Sequence, residues 1–462
     1  MFIGREKELK KLNDMYSSNS FELAIIYGRR RIGKTTLIKE FCKDKKAIYF
    51  IAREANDVLN IENFSRDVFE TTSKDVSGTV QFSNWEKAFE YIYEISKNER
   101  IILVIDEYPY LAQANASISS ILQAHIDMKL KDSKLFLILC GSSMSFMENQ
   151  VLGYKSPLYG RRTAQIRLRP FTFFESFKFH KGFTKEEKAI IYGITGGIPE
   201  YLTKVNETKT LRQNIIEMFL SDMGHLYEEP SSLLKQELRE PAMYNSIITA
   251  IAKGASRLNE IATKNKIESN KCAKYLSSLI SLGIVRKEKP VTEENSKKSI
   301  YVLEDNMFRF WYRFIPDNMT HIISENSYNL FDKNIKPKLS EYMGAVFEQI
   351  CIQYLIKENL QNRLPFMFGK IGRWWGNNPK LKKQEEIDII AVDNEDKMIL
   401  GECKWKNGLV GENILESLLK KGEMFDHKEK YYYVFSKKGF TSKCIEKSKK
   451  LDKIRLVCFK DI

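Results

Sequence analysis

The chain has 462 residues, 43% of them hydrophobic, and a formal net charge of +14. That length predicts about two to four domains rather than one, and the lack of any run of 18 or more apolar residues excludes a membrane span. The basic balance permits phosphate contacts with nucleic acid but does not require them, because lysine is abundant along the whole sequence.

The first 180 residues alternate short apolar runs with helical patterns. ELAIIY (22–27), AIYFIA (47–52), IILVID (101–106) and LFLILCG (135–141) fit strands buried on both faces of a parallel sheet. Between the first of these runs and a helix, TTLIKEFC, lies Gly28-Arg29-Arg30-Arg31-Ile32-Gly33-Lys34-Thr35, followed by Thr36. This is the GxxxxGK[ST] pattern in its proper strand–loop–helix setting. Its glycines let backbone N–H groups turn toward phosphates. Lys34 is expected to reach the β- and γ-phosphates of ATP, and Thr35 to hold Mg²⁺. The three arginines fill the variable loop positions and are not read as a nucleic-acid patch.

Asp106 and Glu107 end the third apolar run, with Asp106 expected to support Mg²⁺ and Glu107 to polarise the attacking water. Ser142, at the end of LFLILCGS, is a candidate γ-phosphate sensor or a plain strand-to-loop turn. Arg161 and Arg162 are candidate arginine fingers or a solvated turn.

Residues 181–241 read as a mostly helical lid, with Thr184 and Glu187 in capping-box spacing and GGIP (196–199) as a break. Residues 242–316 hold three helical patterns and two strand-like pieces around a polar turn, the layout of a winged helix-turn-helix. Its third helix carries Asn270, Lys271, Lys274, Ser277 and Ser278, which suits a DNA backbone or groove; packing between domains is the other reading of this module. The aromatic run MFRFWYRFI (307–315) is expected in a core or an interdomain face. Residues 317–335 read as an irregular linker.

Residues 336–462 return to an α/β pattern. EEIDIIA and ILGECKW form a strand pair around the turn VDNEDK. In a strand, residues two apart share a face, so Glu402 and Lys404 point together and Cys403 points away. A hairpin brings Asp388 beside them. Two carboxylates and an ammonium on one sheet face suit a metal-dependent phosphodiesterase. Asp388 and Glu402 would hold Mg²⁺, the Cys403 carbonyl would add a ligand, and Lys404 would orient water or stabilise developing charge. The competing readings are a surface salt-bridge cluster and a nuclease-like domain that binds DNA or protein without cutting.

Seven cysteines stand singly, without a CxxC pair, and the five histidines are widely spaced. They predict buried thiols in a reducing compartment, the cytoplasm, rather than zinc ligands. MFIGREKELKKL has no apolar stretch behind its basic residues and so does not read as a secretory signal.

Taken in order, FIGREKEL, the P-loop, VIDE, LCGSS, SPLYGRRT and GGIPEYL resemble the archaeal-type ATPase family, in the STAND and AAA+ region of P-loop ATPases. The resemblance spans roughly residues 1–240. It implies that Phe2, Ile3, Gly4 and Arg5 lie near the adenine, and that Gly196, Gly197 and Pro199 belong to the lid. It also implies that a winged helix and a nuclease-like domain follow, and that the chain can assemble into homo-oligomers. Residues 336–462 are similar to the PD-(D/E)XK nuclease superfamily, on Asp388 and the ExK of Glu402–Lys404. Glu348, in GAVFEQI, matches that superfamily's helix-borne acid, expected to bind a second metal or orient Lys404. No proline precedes Asp388, a departure from the motif.

The expected fold class is thus a multidomain α/β protein. It comprises a P-loop NTPase core (1–180), helical lid (181–241), winged helix (242–316), linker (317–335) and restriction-endonuclease-like α/β domain (336–462). The expected function is an ATP-binding and hydrolysing switch coupled to a DNA-interacting, metal-dependent nuclease-like domain. The alternative is a regulatory or scaffolding ATPase whose C-terminal domain does not cut. A translocase is the weakest reading, for want of helicase motifs beyond the P-loop pair.

Overall fold

Four runs of consecutive aliphatic residues near the N-terminus bury both faces of a sheet, which calls for parallel strands covered by helices on each side. In the computed structural model, which describes residues 2–72, 81–293, 298–324, 326–378 and 382–462, those runs become β1 (Glu22–Tyr27), β2 (Ala47–Ile51), β3 (Ile101–Asp106) and β4 (Leu135–Gly141). A shorter strand that the apolar pattern does not announce, β5 (Ala164–Arg167), completes an all-parallel sheet in the order β2-β3-β4-β1-β5. Every residue of β3 and β4 is buried. Strand order reverses beside β1, so the loop after β1 opens at the carboxyl edge of the sheet, where such folds bind ligands.

The chain divides into two compact units. The first comprises Met1–Phe171 and Ile198–Glu200, and the second Thr172–Gly197 and Tyr201–Ile462. The helical stretch expected as a lid is therefore shared: Ile198–Glu200 group with the first unit and the rest of the stretch with the second. Helix Lys185–Thr195 begins in the expected capping box of Thr184 and Glu187 and ends at Gly196 in a left-handed turn. It is fastened to the long helix Lys336–Leu360. Gln353 accepts from the Phe173 N–H (2.8 Å) and donates to the Tyr192 hydroxyl (2.9 Å), and the Tyr342 hydroxyl donates to the carbonyls of Gly193 and Asn306. Glu186 adds ion pairs to Lys437 and Lys438.

Within the second unit, helices Pro241–Ala252, Leu258–Lys264 and Ser269–Ser281 precede an antiparallel pair, β6 (Val285–Glu288) and β7 (Ile300–Leu303). Part of the expected polar turn between them, 294–297, lies outside the described residues. Asn270, Lys271, Lys274 and Ser277 lie on the exposed side of Ser269–Ser281, and Cys272, Tyr275, Leu276 and Leu279 on its buried side. The aromatic run forms helix Asn306–Phe314, which buries Phe308, Phe310, Tyr312 and Phe314 and packs Phe310 on Phe219, ring centroids 4.8 Å apart.

Residues 317–335 are not the irregular linker that their polarity suggests. Short helical turns run through them and bury Ile322, Leu330, Phe331 and Ile335. A few scattered apolar residues among polar ones suffice to hold turns against a core, even where each turn is too short to propagate alone.

The C-terminal sheet has the order β12-β11-β10-β9-β8. Its strands are β8 (Lys370–Asn378), β9 (Lys383–Val392), β10 (Lys397–Lys404), β11 (Glu429–Ser436) and β12 (Ile454–Cys458). The first three run antiparallel and the last three parallel. Helix Glu412–Gly422 covers one face with Leu415 and Leu418, packed on Leu400, Ile390 and Val434.

Between β8 and β9 the register slips: Gly372 faces Ile390, yet Trp374 faces Ile387. Asp388 and Ile389 therefore oppose Arg373 alone, a bulge on β9. A bulge re-aims side chains, and here it turns both Ile387 and Ile390 into the same core. The neighbouring hairpin adds a rung, with Val291 N–H donating to the Arg373 carbonyl at 3.1 Å.

Candidate functional site

The nucleotide pocket is assembled at the carboxyl ends of β1, β3 and β4. Gly33 takes φ 86°, a conformation that L side chains rarely adopt, and helix Lys34–Cys42 starts directly after it. Lys34 is buried and its Nζ donates to the carbonyls of Gly28 (2.8 Å) and Arg29 (3.2 Å). Thr35 Oγ1 donates to Asp106 Oδ2 at 3.0 Å, and the Tyr49 hydroxyl to the same oxygen at 2.7 Å. Burial and the Asp106 charge push the Tyr49 phenol far up, so it stays a donor.

Glu107 sits at φ 52°, and the Asp106 carboxylate caps its N–H (2.9 Å). The Glu107 carboxylate accepts from Ser142 N–H (3.2 Å) and Oγ (2.8 Å). Ser142, read from the sequence as a phosphate sensor or a turn, is thus a direct partner of Glu107. Arg30 donates to the Tyr110 hydroxyl at 2.9 Å, Ile32 is buried, and Thr36 is exposed on the outer side of its helix.

The N-terminal segment closes over this loop. Gly4 (φ 72°) lies against the Phe171 ring, and the Arg5 guanidinium sits 4.4 Å from that ring's centroid. Arg5 donates to the carbonyls of Ile32 (3.2 Å) and Arg169 (2.7 Å), which holds this segment to the P-loop. From the other side, Pro199 approaches Gly33 within 3.7 Å of where a Cβ would stand, and Glu200 N–H faces the Arg31 carbonyl at 3.5 Å. Arg161 is engaged elsewhere: it forks onto Asp127 and donates to the carbonyls of Pro157 and Tyr159.

The second cluster lies where the β9–β10 ladder stops. Its last rung is Gly401 with Ile389; one step on, the Asp388 side chain takes over and Oδ2 accepts the Cys403 N–H at 2.8 Å. Lys404 Nζ lies 2.6 Å from Glu402 Oε1 and 3.9 Å from Asp388 Oδ2. The three residues expected to converge do so. Cys403 is buried, as is Cys351 of the long helix, and burial pushes both thiols up.

Burial and the Glu402 charge raise the Asp388 carboxyl above the usual carboxylate range, against the pull of Lys404. Burial alone would lower the Lys404 ammonium, but Glu402 and Asp388 outweigh it and raise it. Glu348 is pushed up to about 7 by burial and by Asp388, and its carboxylate lies 3.7 Å from Arg373 Nε. Glu348 thus joins the cluster electrostatically and through Arg373, which also reaches Glu288 (3.5 Å) and Glu386.

Sequence reading misses one more member. Lys421, on helix Glu412–Gly422, donates to the Glu386 carbonyl (2.7 Å) and Glu402 Oε2 (3.2 Å). The signal was present: three residues beyond Leu418, Lys421 falls on the buried stripe of an amphipathic helix, where a cation needs a reason.

Among the described residues no three His, Cys, Asp or Glu side chains form a ready metal cluster. The donors present still fit a hard divalent cation, because two largely buried carboxylates, one of them raised by the other's charge, gain from a cation between them.

Comparison with known proteins agrees with the first half of this description. Residues 2–205 match an ATPase domain predominantly from Archaea, and residues 311–421 match a family of archaeal and bacterial proteins of unknown function. The uncharacterized protein MJECL04 of Methanocaldococcus jannaschii is 36% identical over 447 residues, covering 95% of this chain and 96% of that one. The uncharacterized ATP-binding protein PH0541 of Pyrococcus horikoshii is 25% identical over 53% of this chain and 89% of its own length. Among solved structures, the Walker-type ATPase PABY2304 of Pyrococcus abyssi shares the fold. It aligns with a TM-score of 0.50 at 20% identity, over 68% of this chain and 96% of its own. With a relative of this identity along nearly its whole length, the chain belongs to the same family as MJECL04, and its residues 2–205 carry the ATPase domain found predominantly in Archaea.

Proposed function

We propose that this ATPase is a nucleotide-driven switch whose C-terminal α/β domain is a metal-dependent phosphodiesterase acting on DNA. The observation that carries the reading is the convergence of Asp388, Glu402 and Lys404 at the open end of one strand pair, with Asp388 anchored to the Cys403 N–H.

In the first site, Lys34 binds the β- and γ-phosphates of ATP once it exchanges its loop carbonyls for phosphate oxygens. Mg²⁺ would be held by Thr35, with Asp106 behind it, and would neutralise phosphate charge. Glu107 orients the attacking water while Ser142 holds its Oε2. In the second site, Asp388, Glu402 and the Cys403 carbonyl would hold a divalent cation that polarises the phosphodiester and its water. Lys404 holds that water or stabilises charge developing on phosphate. Residues 242–316, read as a winged helix, present Lys271 and Lys274 on an exposed helix face that suits phosphate contacts.

A second reading has an observation of its own. Glu402 is already matched by two ammonium groups, Lys404 and Lys421, an ion cluster complete without metal, as a regulatory domain that binds but does not cut would have.

The test is plasmid and linear DNA incubated with Mg²⁺ or Mn²⁺, comparing the native chain with Lys404→Ala. Metal-dependent cutting that the substitution abolishes supports the phosphodiesterase. DNA binding without cutting under any condition supports the regulatory ATPase.

A further inference from the structure

We propose that Lys421 is a phosphate-binding residue of the C-terminal site, placed to hold a non-bridging oxygen of a phosphodiester from the side opposite Lys404. The inference rests on the phosphodiesterase reading and assigns that site a second cation from a different element.

Three observations carry it. Lys421 is only 16% exposed, so its side chain packs into the pocket wall instead of standing in solvent. A surface ion pair would need no such burial. Glu402 does not require it either, because Lys404 already lies 2.6 Å from its Oε1. And the tighter of its two contacts is not to a carboxylate: Nζ donates to the Glu386 carbonyl at 2.7 Å, against 3.2 Å to Glu402 Oε2. A main-chain anchor fixes an ammonium in place while leaving its charge unspent.

Charge balance gives the arrangement a direction. Asp388 and Glu402 are offset by Lys404 and Lys421. A divalent cation held by the two carboxylates leaves the pocket with a surplus of positive charge, which a phosphodiester anion satisfies. The Glu386 carbonyl keeps Lys421 at the rim while Glu402 turns to the metal.

The experiment uses the full chain and a fluorescent DNA duplex. Affinity is measured in Ca²⁺, which is bound by oxygen ligands like Mg²⁺, across a series of salt concentrations, and cutting is measured in Mg²⁺. Lys421→Ala is expected to bind about tenfold more weakly, with a salt slope lower by about 0.9, the value of one phosphate contact. Cutting should fall in step, and Lys421→Arg should regain most of the binding. Lys421→Met keeps the side chain's length and apolar packing, so it carries the same expectation if the alanine variant does not fold.

Unchanged affinity and slope in Lys421→Ala or Lys421→Met would overturn the proposal and leave Lys421 as a counter-ion of Glu402. A wild-type chain that never cuts, but whose binding responds to Lys421 as expected, would sink the phosphodiesterase reading and keep the phosphate contact.

Discussion

At the scale of single residues, the two sites differ in how their acids are held. Glu107 is tied to Ser142 by two hydrogen bonds, so its charge is aimed before any water arrives. Glu107→Gln should bind ATP normally and turn it over about 100-fold more slowly, read as ATP affinity beside single-turnover hydrolysis. Ser142→Ala should lower turnover by about tenfold or less, because it removes only the hydroxyl and leaves the Ser142 N–H in place.

Glu348 presents the opposite case, a carboxyl whose pKa rises on folding, to about 7. The folded state then holds a proton that the unfolded state has lost. That contribution is complete below the ordinary glutamate range and is lost as pH climbs through about 7. Stability in chelator should therefore fall by up to about 3 kcal/mol between pH 4.5 and 8 from this group. Glu348→Gln should flatten that decline in urea melts, whereas parallel pH curves for the two proteins would show that Glu348 keeps an ordinary pKa. Lys34, Thr35, Asp106 and Asp388 were legible as residues because their spacing encodes their chemistry. Arg373 was not, because it acts by meeting elements distant in sequence, which no local pattern records; Lys421 was signalled only by its place on the buried stripe of its helix, which does not name its partners.

At the scale of elements, legibility followed burial. β1, β3 and β4 start and end as their apolar runs do, since a strand buried on both faces must be apolar at every position. β8 escaped because GRWWG shows no alternation, and the bulge on β9 opposite Arg373 breaks the period of the pair. The segment 317–335 escaped because its turns are held by four scattered apolar contacts rather than by a periodic face.

The helix Lys336–Leu360 illustrates what joins elements. Tyr342 is buried and its hydroxyl donates to two main-chain carbonyls, of Gly193 and Asn306. Tyr342→Phe should cost about 1–3 kcal/mol in chemical denaturation, because it strands two buried acceptors. A change below about 0.5 kcal/mol would mean that those carbonyls find other donors.

At the scale of the whole molecule, the chain alternates between its two units around one short turn. Helix Lys185–Thr195 belongs to the second unit, and Ile198–Glu200, next in sequence, to the first, where Pro199 and Glu200 meet Gly33 and Arg31 of the P-loop. The helix is in turn fastened to Lys336–Leu360, which carries Glu348. Residues 198–200, which meet the P-loop, follow helix Lys185–Thr195 directly in the chain, and the proposed switch would act through this connection. A switch of this kind needs nucleotide to favour one arrangement over the other, and the effect at the second site is limited by that difference. The ATPase domain was legible because it carries its own motif; the division of the stretch after it between the two units was not, because it depends on which core each segment joins.

The measurement that tests the central claim most directly is the rate of metal-dependent DNA cutting with ATP, with ADP and without nucleotide, run for the native chain and for Lys34→Ala. The account predicts rates that differ by about tenfold or more between nucleotide states in the native chain, and a single nucleotide-independent rate in Lys34→Ala. Equal rates in every state of the native chain would contradict the switch, and no cutting in any state would contradict the phosphodiesterase it is meant to control.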